Sequence, residues 1–231
     1  MSLFEVIYTP QAIGRLPQRD LSNHLAVVID VFRATSTIAT GLAHGAEAFF
    51  PIATVEEGLE LKAKNPDVLL AGERGGEAPI GFDLGNSPRD FTPERIKGKR
   101  VFHTTTNGTQ ALVAVREANT VVTACWLNLA AVVKFLREAK RPTLLLCAGT
   151  GRAFAMEDAT LASAILDALD IDHPARSIYR SVAGRFPESL YETRNGRNLI
   201  RAKRTGDIEF CIQQDQFDLV PKLGKDGWIR V

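Results

Sequence analysis

Four stretches of this 231-residue chain place carboxylates, hydroxyls, glycines and arginines directly after short apolar runs. The first, residues 28–37, carries Asp30, Arg33, Thr35 and Ser36. Asp30 ends an apolar run, where a carboxylate is costly unless it meets a metal, a cation or hydrogen-bond donors. It reads as a metal ligand or nucleophile, or else as a partner of Arg33 or a helix cap. Thr35 and Ser36 suit a helix start whose backbone N–H groups face an anion. The second stretch sets Glu73 and Arg74 among Gly72, Gly75 and Gly76 and runs on to Asn86 and Ser87. Long glycine-rich connections inside compact domains are usually functional, and arginine offers a planar fork to oxyanions. The third, Thr105, Thr106, Asn107, Gly108 and Thr109, reads as a phosphate cradle or as a heavily capped helix start. It has neither the lysine nor the spacing of a nucleotide-binding P-loop. The fourth combines Gly149 and Thr150 with Glu157 and Asp158. Glu157 and Asp158 either complement a helix dipole or join Asp30 and Glu73 in an oxygen-rich magnesium site. Cys147, at the end of an apolar run and one residue too close to Arg152 for a cysteine-phosphatase loop, reads as a buried thiol.

The elements that must position these residues follow from periodicity. Apolar runs at 4–8, 25–31, 46–51, 68–71, 100–103, 120–124 and 143–147 have the Val/Ile/Leu content of strands buried on both faces. Between them, residues 35–43, 55–64, 109–117, 129–140 and 157–169 repeat apolar positions at helical spacing. The alternation predicts a three-layer α/β/α fold on a mostly parallel or mixed sheet, with ligands at the carboxyl ends of the strands. The whole chain, 1–231, reads as one domain, with two similar lobes at about 1–125 and 126–231 as a subdivision. Residues 25–40 and 144–161 share a strand–turn–helix plan, which either a duplicated half-domain or two generic βα units would give. Residues 175–204 are rich in arginine and read as a solvated helical region or as a basic rim that attracts anions. Residues 206–231 are expected to add strands at a sheet edge.

Composition narrows the function class. Twenty-eight basic and 27 acidic residues leave a net charge of +1, which speaks against a nucleic-acid or membrane-surface partner. Three widely spaced cysteines fit neither a disulfide framework nor a zinc ribbon, so a reducing cytoplasm is expected. The first ten residues lack the pattern of a signal peptide, and no apolar run reaches the length of a membrane span. There is no G-x-S-x-G motif, which removes the commonest serine-hydrolase reading.

Taken together, Asp30–Thr37, Gly72–Gly76, Gly81–Pro88, Thr104–Thr109 and Cys147–Thr150 with Glu157–Asp158 resemble, in order and spacing, the 2-phosphosulfolactate phosphatase family. The likeness runs from about residue 5 to residue 222. It implies a cytoplasmic, Mg²⁺-dependent hydrolase of 2-phospho-3-sulfolactate in coenzyme M synthesis, with its site between two lobes. Another phosphorylated 2-hydroxy acid, a sugar phosphate, or anion binding without turnover are the alternatives. On this reading Asp30, with Glu73 or Asp158, holds the metal. Backbone N–H groups of Asn107–Thr109 and Thr150–Gly151 cradle the phosphate. Arg33 and Arg74 hold its charge and that of the sulfonate or carboxylate. A homodimer is the expected assembly, from the general prevalence of two-fold symmetry.

Overall fold

The computed structural model describes residues 3–231. All seven apolar runs form strands within two residues of their expected limits: β1 (Phe4–Ile7), β2 (Leu25–Ile29), β3 (Ala48–Pro51), β4 (Leu69–Gly72), β5 (Arg100–Thr104), β6 (Thr120–Ala124) and β7 (Thr143–Cys147). The helix expected over 109–117 stops at Ala114; the other four match to one residue. Two short strands, β8 (Lys222–Leu223) and β9 (Ile229–Arg230), complete one nine-stranded sheet in the order β1-β7-β2-β6-β8-β9-β3-β5-β4.

Here the structure corrects the sequence. Residues 205–211 are helical, and β8 and β9 occupy the middle of the sheet, between two parallel blocks. They pair antiparallel with β6, with each other and with β3. Each is too short to show a periodic pattern. They are held by these pairings and by packing, with Ile229 buried and the Trp228 ring 5.2 Å from that of Phe50. Three antiparallel steps in succession reverse the strand sense between the blocks. A sheet twist of roughly 20–25° per strand turns β5 by about 100–125° relative to β2 over the five steps between them, which helps bring carboxyl ends from both blocks to one cleft.

The sequence builds the layers by alternation. Every residue of β2 and β7 is buried. Val27, Ile29 and Leu145 face one way, into a core shared with the helices Leu129–Ala139 and Met156–Ala168. Val28, Leu144 and Leu146 face the other way, into a core that also holds Ile38, Leu112 and, from the second block, Phe49 and Val101. Each such side chain contributes about 1.5–3 kcal/mol by leaving water. That second core fixes the helices Ala34–Ala43 and Gly108–Ala114 between the blocks. Their amino-terminal turns therefore lie where the strands end. Among the described residues, no helix is long and apolar enough to cross a membrane.

Candidate active site

The turns after β2, β4, β5 and β7 line a cavity of about 300 Å³. Asp30, Phe32 and Arg33 come from the first, Glu73, Gly76 and Glu77 from the second, Thr106 and Asn107 from the third, and Gly149 and Thr150 from the fourth. Asn86 joins them from the 73–87 connection. The opposite wall is formed by Asn195 and Asn198 of the helix Arg194–Arg201, with Arg204 just beyond it.

Four carboxylates stand in or behind this wall, and their oxygens are used differently. Glu73 accepts the N–H groups of Thr106 and Gly76, both at 2.8 Å, one on each oxygen. Asp158 likewise accepts Val31 N–H at 2.9 Å and Gly149 N–H at 3.0 Å. Both side chains act as clamps between turns. Among the described residues, the Asp30 carboxylate accepts only Ala34 N–H, at 3.2 Å on Oδ1. Its Oδ2 lies against Gly108, where a Cβ would sit 2.6 Å away, so only glycine fits beside the carboxylate. Glu157 accepts Asn195 Nδ2 at 2.5 Å on Oε1, while its buried Oε2 has no hydrogen-bond partner among the described residues. Burial, reinforced by Glu73 and Glu157, pushes the Asp30 carboxyl up to about 7. Glu157 is also raised by burial, and Asp158 well above the usual carboxylate range by burial next to Asp30 and Glu157. Uncompensated buried carboxylates of this kind favour a proton or a cation.

No group of three or more His, Cys, Asp or Glu side chains is arranged as a ready metal site among the described residues. Magnesium does not require one, since it keeps several waters and is typically bound through one or two carboxylates plus substrate phosphate. The partnerless Oε2 of Glu157 and the half-used Asp30 fit such an ion better than Glu73 or Asp158, whose oxygens already hold backbone donors.

The hydroxyl-rich turn after β5 is occupied with its own backbone. Thr105 Oγ1 accepts Thr109 N–H at 3.1 Å, and Thr109 Oγ1 accepts Thr105 N–H at 2.9 Å. Asn107 bonds Ala148 O at 2.9 Å and Gly151 N at 3.1 Å, tying the turn to the loop after β7. Thr150 N–H goes to Ala153 O. Of the expected cradle, the N–H groups of Thr109, Thr150 and Gly151 are thus engaged. The hydroxyls of Thr35 and Ser36, inside the helix, similarly donate back to Asp30 O and Val31 O at 2.9 Å and do not cap it. Asn86 Oδ1 meets His103 Nε2 at 3.0 Å, and burial, helped by the Arg74 charge, lowers His103 to about 3, so its ring is neutral.

The two expected arginines part company. Arg33 lines the cavity, its guanidinium 2.5 Å from Asp207 Oδ2 and 3.1 Å from Gly76 O. Arg74 is not among the lining residues; it binds Glu73 O, Ala53 O and Thr104 Oγ1 and braces the loop from behind. Cys147 is fully buried, with its thiol raised well above its ordinary value by burial and by Asp158 and Glu157, so it offers no thiolate.

Comparison with known proteins adds the family. Residues 11–226 match the family described as 2-phosphosulpholactate phosphatase. The chain belongs to that family. A probable 2-phosphosulfolactate phosphatase of Caldanaerobacter subterraneus is 39% identical over 97% of both chains. One from Thermotoga maritima is 44% identical over 86% of this chain and 88% of its own, and one from Nostoc punctiforme 36% over 100% and 98%. The name these relatives carry is that of a phosphoric monoester hydrolase.

Within the 2-phosphosulfolactate phosphatase fold, sequence reasoning assembled the floor of the cavity and missed its far wall. Asn195, Asn198 and Asp207 went unnoticed, Glu77 was read only as part of the charged glycine-rich loop, and Arg204 passed as one charge in a basic stretch. The remaining arginines of that stretch divide: Arg176, Arg180 and Arg185 pair with their own carboxylates at the surface. The usable signal was Asp207, the first carboxylate after Glu192 and the partner of buried Arg33.

Proposed function

We propose that this protein hydrolyses 2-phospho-3-sulfolactate to 3-sulfolactate and phosphate with Mg²⁺ as cofactor, in the cytoplasm. The observation that carries the reading is the pair of buried carboxylates, Asp30 and Glu157, each with an oxygen lacking a protein donor, beside a cavity that arginines also line. Family membership supports the substrate class, a small phosphorylated acid.

Asp30 and Glu157 would hold the Mg²⁺, which when bound offsets negative charge on the phosphate oxygens. Arg33, locked in place by Asp207 and Gly76 O, keeps a fixed positive charge at the cavity wall without needing to reorganise. Thr150 Oγ1 accepts from Asn195 at 2.5 Å, which leaves its hydroxyl hydrogen to donate to substrate. Asn107 and Asp158 keep the turns after β2, β5 and β7 in register, so the reacting groups meet without a search. Phe32 stands two residues after Asp30, where aspartate-nucleophile phosphatases carry a second aspartate. Water is therefore the nucleophile in this proposal, and the phosphorus–oxygen bond to the hydroxy acid is the one that breaks.

The test is steady-state phosphate release from 2-phospho-3-sulfolactate after exhaustive chelation, with Mg²⁺ restored stepwise. Activity should fall to background and return with the ion. Chelator-resistant turnover would remove the metal from the scheme. Full activity in Asp30→Asn would remove the carboxylate.

A further inference from the structure

Two arginines line the cavity, and they are held in opposite ways. Arg33 is 4% exposed, bound to Asp207 at 2.5 Å, while Ser87 holds the other Asp207 oxygen at 2.6 Å. That network is buried and fixed. Arg204 is 30% exposed and gives Nη2 to Glu77 at 2.7 Å; Glu77 is 69% exposed. Arg204 Nε is buried with no hydrogen-bond partner among the described residues. Nε and Nη2 form one edge of the guanidinium, the edge that grips two oxygens of a carboxylate or sulfonate side by side. Glu77 uses half of it.

The Glu77 contact is also replaceable. An exposed ion pair is worth about 0–1 kcal/mol, and a released Glu77 regains its water. Glu77 follows Gly75 and Gly76, which have φ of +64° and +92° and no neighbouring atom within 4 Å of where a side chain would start. The loop tip has open space around it. An oxyanion that engaged both Nε and Nη2 in the half-enclosed wall would gain more than Glu77 loses.

We propose that Arg204 selects substrates bearing a second acidic group, and that this group takes the place of Glu77 on the Nε–Nη2 edge. This rests on the phosphatase reading and deepens it: the phosphate goes to the Asp30 side, and a sulfonate or carboxylate to the Arg204 side. Glu77 then discriminates, because a phosphate ester with no acidic tail leaves the ion pair closed and gains nothing from it.

The experiment compares Arg204→Gln, Arg204→Lys and Glu77→Gln with wild type. It measures turnover of 2-phospho-3-sulfolactate and 4-nitrophenyl phosphate, and calorimetric binding of 3-sulfolactate. Arg204→Gln should lower kcat/KM for the tailed substrate at least about tenfold more than for the aryl ester, chiefly through KM, equivalent to about 1.4 kcal/mol of selective binding. Arg204→Lys, which lacks the planar fork, should recover only part of this. Glu77→Gln should do the reverse and tighten both KM for the tailed substrate and 3-sulfolactate binding, about threefold, by removing a competitor worth under 1 kcal/mol. If the pair merely ties two loops together, both variants lose activity by the same factor on both substrates, and the proposal fails. A wild type that binds 3-sulfolactate in an Arg204-dependent manner yet cleaves no phosphosulfolactate would sink the reaction and keep this site. A wild type that cleaves it with equal Arg204→Gln losses on both esters would do the opposite.

Discussion

The turn after β2 and the turn after β5 look alike in sequence: each is polar, each follows a buried strand, and each opens a helix. Their atoms behave differently. In the β5 turn, Thr105 and Thr109 satisfy each other and Asn107 binds the neighbouring loop. At the β2 turn, Asp30 and its neighbour Glu157 are buried, and each keeps one oxygen without a hydrogen bond among the described residues. Hydrogen-bond saturation marks scaffold; a buried, unmet group marks chemistry, because nothing else offsets the cost of keeping it there.

The largest effect should come from Asp30→Asn. It should lower kcat by about 10³-fold, as loss of a group acting on transition-state charge does, and should also stabilise the metal-free protein. Asp30 is raised from 3.8 to about 7, so the folded state binds its proton more tightly than the unfolded chain. Metal-free stability therefore falls as pH rises from about 4 through 7, by on the order of 3 kcal/mol. Melting curves in chelator from pH 5 to 8 should show this slope in wild type and its loss in the variant. A variant less stable than wild type at pH 8 would break the contrast between the two turns.

His103, at the base of the β5 turn, should give a pH effect of the other sign. Its pKa is lowered from 6.5 to about 3, so the unfolded chain takes the proton first. Its contribution is intact above pH 6.5 and is lost as pH falls, by about 2 kcal/mol at pH 5. His103→Gln, which keeps a donor for Asn86, should flatten the acid side of the stability profile.

Thr109→Val tests the scaffold reading directly. It strips the acceptor from the buried Thr105 N–H and should cost about 1–3 kcal/mol of stability, with kcat within about threefold of wild type below the melting transition. A hundredfold fall in kcat would make that turn catalytic. Smallest of all, Cys147→Ser should leave turnover nearly unchanged in the same assay, since a buried thiol flanked by carboxylates does not ionise.

What was legible in the chain follows the same division. Strands such as Leu25–Ile29 and Thr143–Cys147 announce themselves because burial on both faces leaves only apolar residues. Asp30 stood out because it puts a carboxylate at the end of such an apolar run. Whether a polar atom is met or unmet depends on partners far along the chain, as when Asn195 reaches Glu157 and Thr150. Spacing cannot carry that. For the same reason Arg74 and Arg204 exchanged roles: in sequence both are arginines near glycine or basic runs, and only the packing turns one away from the cavity. Strands were expected within 206–231, but the central place of the β8–β9 hairpin was not legible, because two-residue strands take their geometry from their neighbours.

That hairpin sets an order on how the protein is made. Both of its strands follow, in chain order, every strand they join. During synthesis the two parallel blocks can each gather around their helices, but the sheet stays in two pieces until residues 222–230 emerge. The exposed edges of β6 and β3 are open to wrong partners throughout that interval. The cleft that brings Asp30 and Glu73 together is therefore a late product of biogenesis, and a nascent chain has no working site to misfire.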